Sequence, residues 1–327
     1  MRGIAESYAW TSLGQIFDPR EHNLPSNCSE YAQSPQAVVL ADRVRVYFST
    51  RERDTETTYL SHVAYVDFSS DFTETLDVSS HQVLELGALG TFDEHGIFPI
   101  NVLAHGGLIH GFTTGWNRKV SVPVDTAIGH VVSIDNGRTF QRNGAGPVMA
   151  ASLIEPYLIA DGFVLEINGL LHMWYIFGTQ WKIGVESGKP ERVYKIAHAI
   201  SPDGERWQRD GRQIVGDLLG ADECQALPTV FELDGKYHMY FCFRGYDGFR
   251  SGAANSYKLG YAVSDDLQMW TRDDSLSGLS LPTGAWDTEM QCYPHVTRVG
   301  DERYLLYNGN TFGRYGFGCA RLDRTTR

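Results

Sequence analysis

Apolar and polar positions alternate along this chain in short runs, and the runs come in pairs divided by turn residues. Ser34–Arg51 reads SPQAVVLADRVRVYFSTR, Phe98–Gly115 reads FPINVLAHGGLIHGFTTG, Leu227–Gly245 reads LPTVFELDGKYHMYFCFRG, and Tyr293–Asn310 reads YPHVTRVGDERYLLYNGN. Each predicts a strand, a tight turn and a second strand, with the Val, Tyr, Phe and Leu enrichment that a pleated, half-buried surface favours. A third run follows in AIGHVVSIDNGRTFQR, YKIAHAISPDGERWQR and YKLGYAVSDDLQMWTR. The Asn-Gly and Asp-Gly pairs in the first two predict hairpin turns, and so a fourth strand. Helical periodicity is scarce.

The pattern repeats. The prolines that open the first strands are Pro35, Pro99, Pro228 and Pro294. Aligning LEINGLLHMWY with FELDGKYHMYF places Gly162 at the equivalent position of a fifth unit, and the steps are then 64, 63, 66 and 66 residues. A period of this size marks an array of equivalent units. Four antiparallel strands per unit, repeated radially, predict an all-β fold, a five-bladed β-propeller. The predicted blades span about 30–90, 91–150, 151–218, 219–283 and 284–327, in one domain over 1–327. The last unit has three strands. WTSLGQI (Trp10–Ile16) matches WQRDGRQI (Trp207–Ile214), so segment 8–17 is expected to supply the missing strand. The ring would then close without a free edge.

A glutamate stands five residues before each proline: Glu30, Glu94, Glu223 and Glu289. First strands of a propeller lie nearest its axis, so these four are expected around one mouth of the central channel. Asp93, Asp222 and Asp287 stand beside or near them, and Asp161 opens the first strand of the third unit. Clustered carboxylates repel, which keeps some protonated while others ionise. Glycosidic chemistry needs that pairing of acid with base or nucleophile. Arg51 and Arg244 lie 21 residues after Glu30 and Glu223, as expected of cross-strand braces, and they are alternatively anion-binding groups. At that offset Glu94 and Glu289 have Gly115 and Asn310, so these two are the first candidates for acid and base.

His95 and His295 are candidates to bind a sugar hydroxyl or tune a carboxylate, with a structural role as the alternative. Trp116 and Trp181 are candidates to stack on sugar, and Asn117 and Asn310 to hydrogen-bond it. His62, His130 and His198 recur on third strands and read as blade packing. Cys28, Cys224 and Cys292 lack zinc spacing and read as buried thiols. Arg244–Ser256 and Thr179–Val193 are candidate lids or ordinary surface loops. No cofactor or metal is expected.

A net charge of −12 argues against nucleic acid or an anionic membrane as partner. Five cysteines, an odd number without paired spacing, favour reduced thiols. Neither a membrane span nor an apolar leader core is evident, and a cytoplasmic location is expected.

The unit pattern, with segments such as DGKYHMYF (Asp234–Phe241) and AVSDDLQMW (Ala262–Trp270), resembles the five-bladed propeller glycosidases. These are the arabinanase/xylosidase and invertase/levansucrase superfamily, with the mannoside phosphorylases as relatives. RVYFSTR, GTFDEHGIFP and YNGN look more closely like uncharacterised propeller proteins of bacterial surface-polysaccharide gene clusters. The resemblance implies a few acidic residues from different blades around a sugar. The family's frequent Asp-Pro at the first inner strand is Ser34-Pro35 here. SIDNGRTF (Ser133–Phe140) fits the sialidase Asp-box, but that box is a structural turn and sialidases have six blades. The expected function is that of a glycoside-hydrolase-like enzyme on a carbohydrate. The alternatives are a glycosyltransferase or phosphorylase, which would need Arg51, Arg244 and Arg250 to converge on the mouth, and a non-catalytic carbohydrate-binding propeller.

Overall fold

The computed structural model describes residues 9–250, 255–280 and 282–323, and they are nearly all strand and turn. Residue 8 of the predicted closing strand, positions 251–254 of the candidate lid and the tail from 324 lie outside the described residues. The chain starts with β1 (Ala9–Phe17). A first unit follows: β2 (Gln33–Val39), β3 (Val44–Arg53), β4 (Tyr59–Phe68) and β5 (Thr75–Val78). The second holds β6 (Gly96–His105), β7 (Leu108–Arg118), β8 (Val124–Ser133) and β9 (Gln141–Arg142). The third holds β10 (Ile159–Ile167), β11 (Leu170–Ile183), β12 (Pro190–Ser201) and β13 (Gln208–Arg209). The fourth holds β14 (Cys224–Leu233), β15 (Lys236–Arg244), β16 (Lys258–Ser264) and β17 (Thr271–Arg272). Then come β18 (Cys292–Val299), β19 (Glu302–Asn308) and β20 (Phe317–Asp323).

Within each unit successive strands pair antiparallel. The first and second units join in one sheet through a single parallel bridge, Ser61 to Gly96. β1 pairs antiparallel with β20, Trp10 opposite Leu322, so the chain's first strand and its last three form a four-stranded sheet. The hairpins at Asn168-Gly169 and Asp234-Gly235 hold both central residues in the left-handed region, as tight two-residue turns require. The turns from third to fourth strand differ from the expected two-residue hairpin. A serine and an aspartate two residues on, Ser133 and Asp135, Ser201 and Asp203, or Ser264 and Asp266, cap the loop's backbone amides.

The first strands touch in sequence: β2 packs on β6, β6 on β10, β10 on β14, β14 on β18, and β18 on β2. Five apolar clusters fill the spaces between neighbouring sheets. Phe48, Phe68 and Phe317 lie between the last sheet and the first unit. Tyr47, Ile97 and Val131 bridge units one and two, and Phe112, Val164 and Tyr175 bridge two and three. Trp174, Met239 and Phe241 bridge three and four, and Tyr240, Tyr261 and Leu305 bridge the fourth unit and the last sheet. Each sheet is thus buried on both faces, which explains strands that read as near-continuous apolar runs.

Candidate functional site

The five first strands share one irregularity. Each carries a bulge next to its proline or its Gly162 equivalent: register shifts fall at Gln33/Gln36, Ile97/Ile100, Ala160/Phe163, Ala226/Thr229 and Cys292/His295. The residue just before the proline or glycine is Ser34, Phe98, Asp161, Leu227 or Tyr293. Four of them adopt positive φ, between 48° and 57°, and Phe98 instead precedes a cis proline. A bulge re-aims one side chain out of the ladder, and here it aims all five at the centre. Phe98 meets Tyr293 at 5.4 Å between ring centroids, although their units are not neighbours. The Asp161 carboxylate faces the backbone N–H of Leu227.

Asp161 is the one acid among these five. It is 7 % exposed, and burial pushes its carboxyl up to about 7, against the opposing pull of the Arg192 charge and the Leu227 N–H. A carboxyl in this state is half protonated near neutral pH, the condition for a proton donor.

Tyrosines and arginines gather at the ends of the second strands and the starts of the third. The Arg244 guanidinium is buried, donates to Tyr194 Oη at 3.0 Å and to the carbonyls of Gly245 and Tyr246, and lies 3.4 Å from the Phe249 ring centroid. Tyr194 and Tyr257 share a 2.5 Å hydroxyl contact, and Tyr257 packs on Tyr293. Arg51 lies over the rings of Tyr31 and Tyr59 at 4.7 and 5.9 Å. Buried polar atoms without a hydrogen-bond partner among the described residues include Gln33 Oε1, Ser34 Oγ, His95 Nδ1 and Arg244 Nε, and others lie elsewhere, on His62, Trp174 and Arg209 among them. Such orphans are rare in folded proteins and mark a place where a ligand completes the bonding.

The glutamates five residues upstream are arranged otherwise. Glu30 pairs with Arg314 at 2.8 Å and Glu223 with Arg272 at 2.7 Å, so both are braced, but not by Arg51 or Arg244 as expected. The reason is that Arg272 comes from the fourth strand of the same unit and Arg314 from the loop between β19 and β20 of the neighbouring sheet. Asp93 pairs with Arg142 at 2.6 Å. Asp287 is fully buried and holds the amides of Thr283 and Gly284 and the Tyr307 hydroxyl. Asp222 pairs with Lys182. Glu94 is partly buried and accepts from the Gly90 amide, and Glu289 is exposed.

Of the other candidates, His95 stacks on Trp116 at 5.8 Å, and His295 is buried with its pKa pushed down to about 3 by loss of water. Asn310 accepts from the amides of Glu289 and Met290 and so fixes their loop, and Asn117 donates to the Thr91 carbonyl. Trp181 packs against the core between the third and fourth units. His62 meets Glu52, His130 meets His110 and His198 meets His172, on third strands as read from the sequence. Cys28, Cys224 and Cys292 are buried and free. No group of three or more ligating side chains placed to hold a metal ion occurs among the described residues. Arg192, Tyr31, Tyr59, Tyr194 and Tyr257 were not legible as site residues: Tyr194 and Tyr257 open the repeated third run, YKIAHAI and YKLGYAV, but nothing along the chain shows that they meet.

The fold is that of the glycoside-hydrolase-like propellers. Similar solved structures include one from the GH130 family of mannoside phosphorylases, described as containing hydrolases that target β-1,2 mannosidic linkages in Candida mannan. It has a TM-score of 0.70 at 14 % identity, covering 98 % of this chain and 95 % of the other. A β-1,2-mannobiose phosphorylase from Listeria innocua gives 0.67 at 13 %, over 96 % of both chains, and a thermostable family-43 glycoside hydrolase gives 0.62 at 15 %, over 90 % and 89 %. At these identities the likeness is one of fold. No family model matches the chain. Over 316 residues the chain is 30 % identical to the uncharacterized protein MT1551 of Mycobacterium tuberculosis strain CDC 1551 and to the uncharacterized protein Rv1502 of strain H37Rv, covering 96 % of this chain and 99 % of each relative. It belongs to their family.

Among the described residues no helix is long and apolar enough to cross a membrane.

Proposed function

We propose that the protein is a five-bladed β-propeller closed by β1, and that its axial mouth cleaves or forms a glycosidic bond with Asp161 as the acid. The cyclic contacts of the first strands and the β1–β20 pairing support the ring. The observation that carries the chemistry is Asp161 itself: a buried carboxyl at the bulge of the first strand of one unit, its pKa raised to about 7 by burial. Protonated, it gives its proton to the leaving oxygen, and ionised, it takes one back in the reverse direction. Tyr194, Tyr257 and Tyr293 offer hydroxyls and ring faces of the kind that hold a sugar.

Glu94 and Glu289 therefore yield first place as acid. Neither has an arginine partner among the described residues, so each stays a candidate base. Transfer to phosphate is the second reading, and one arrangement favours it. Glu30, Glu223, Asp93 and Asp287 are all committed to structural partners, which leaves the mouth one acid and several arginines. Phosphorolysis needs no carboxylate to activate water.

The test is turnover of a panel of p-nitrophenyl glycosides with and without inorganic phosphate. Wild type is expected to turn over at least one member and Asp161→Asn none. Release without phosphate supports hydrolysis, and release that requires phosphate supports phosphorolysis. Undiminished activity in Asp161→Asn would remove Asp161 from the reaction, and sugar binding with no turnover would support the lectin-like alternative.

A further inference from the structure

Among the described residues, Arg51 and Arg244 lack the carboxylate partners that several other arginines of this fold have. Arg45 is held by Asp67, Arg142 by Asp93, Arg209 by Glu155, Arg272 by Glu223 and Arg314 by Glu30. Arg244 is nevertheless satisfied at two of its nitrogens by carbonyls and the Tyr194 hydroxyl. Arg51 is not: it makes neither an ion pair nor a side-chain hydrogen bond to a described residue, and only ring faces surround it. Burial works against its charge, and so does the neighbouring charge of Arg250. Arg250 lies 4.0 Å from the centroid of the Phe249 ring, is largely exposed, and is itself paired with Glu191 at 3.0 Å.

Leaving a guanidinium partly desolvated without its five donors used is costly. An arginine fork in that condition matches an oxyanion, which supplies charge and paired acceptors together. Tyr31, Tyr59 and Tyr293 stand around Arg51 with hydroxyls and ring faces of the kind that hold the rest of a sugar. The Asp161 carboxyl feels Arg192 instead, so acid and oxyanion site are served by different arginines.

We propose that Arg51 is a specificity-determining residue that receives an oxyanion, so that the substrate class is anionic: a sugar carrying a carboxylate or phosphate group. Inorganic phosphate has the same oxyanion chemistry and is separated from the sugar-borne group by the test. The proposal rests on reading the mouth as a glycan site.

Binding is measured in Asp161→Asn protein, where turnover does not interfere, by calorimetry. The probes are methyl glucoside, methyl glucuronide, glucose 1-phosphate and inorganic phosphate. The anionic sugars are expected to bind at least about tenfold more tightly than the neutral one, an advantage that Arg51→Met erases and that Arg51→Lys keeps in part. The expected preference weakens as salt rises. Binding of inorganic phosphate alone, lost in Arg51→Met, supports the oxyanion site and assigns it to a free ion. Equal binding of neutral and anionic probes, or a preference unchanged in Arg51→Met, overturns the proposal. Arg51→Met is expected to fold, since it removes an unpaired charge and keeps the apolar stem, and its melting temperature checks this. Turnover lost in Asp161→Asn without any anion preference would overturn this proposal alone, while anion preference in a protein whose turnover ignores Asp161 would overturn the acid assignment alone.

Discussion

The carboxylates at the strand ends, the proposed rim, and the bulge residue Asp161 with Arg51, the proposed centre, treat charge in opposite ways. On the rim, Glu30, Glu223 and Asp93 each lie against an arginine at 2.6 to 2.8 Å, and Asp287 is wrapped by amides and a tyrosine hydroxyl. At the centre, Asp161 is buried without a bonded arginine, and Arg51 is buried in part without a carboxylate. The rim groups are matched within the protein, so their work is to hold strand ends and loops. The central groups are mismatched, and a mismatch that folding does not resolve is available to a ligand. Acidity alone does not mark a site in this fold. A charged group whose partner is missing does.

The contrast can be broken at its centre first. Asp161→Asn is expected to lower turnover by about a thousandfold or more while leaving the melting temperature unchanged or higher, because it removes a proton donor and a desolvated acid together. Steady-state rates and thermal melts read both.

Next comes the rim. Arg272→Ala leaves the fully buried Glu223 without its arginine, and breaking such a pair costs about 3–5 kcal/mol. Denaturant unfolding is expected to show that loss. A loss below about 1 kcal/mol would mean that the rim pairs do not brace the fold.

The pH dependence separates the two regions further. With its pKa raised from 3.8 to about 7, the folded Asp161 keeps a proton that the unfolded chain has already released. Its contribution to stability is complete below the ordinary carboxylate range and is lost as the pH rises through about 7. The same ionisation removes the acid, so turnover is expected to fall along the same limb. Unfolding measured from pH 4 to 8 should show a downward slope in wild type that is smaller in Asp161→Asn. Equal slopes would place the carboxyl's pKa in the normal range.

The smallest effect is expected at the exposed rim. Glu289→Gln should change stability by less than about 0.5 kcal/mol and turnover by less than threefold. A loss comparable with that of Asp161→Asn would return Glu289 to the chemistry as the base.

Much of this was legible along the chain. Alternation and the near-constant step between Pro35, Pro99, Gly162, Pro228 and Pro294 made the strands and their four-stranded units legible, because burial on a sheet face repeats locally and is written residue by residue. The match of Trp10–Ile16 to Trp207–Ile214 foretold the pairing of β1 with β20. The bracing of Glu30 and Glu223 was foreseen in kind, yet the partners Arg314 and Arg272 were not. An offset along one hairpin knows only that hairpin's register, and these arginines arrive from outside it, Arg272 from the unit's fourth strand and Arg314 from the neighbouring sheet. Asp161 was visible as an acid at the repeat position, one residue before Gly162. Only the tertiary structure decided that this position turns inward and the glutamate positions do not, because the bulge next to each proline re-aims a single residue and the ring then removes it from water. Sequence determined which groups could carry charge. The packing of the sheets on one another decided which of them, among the described residues, would be left without a partner.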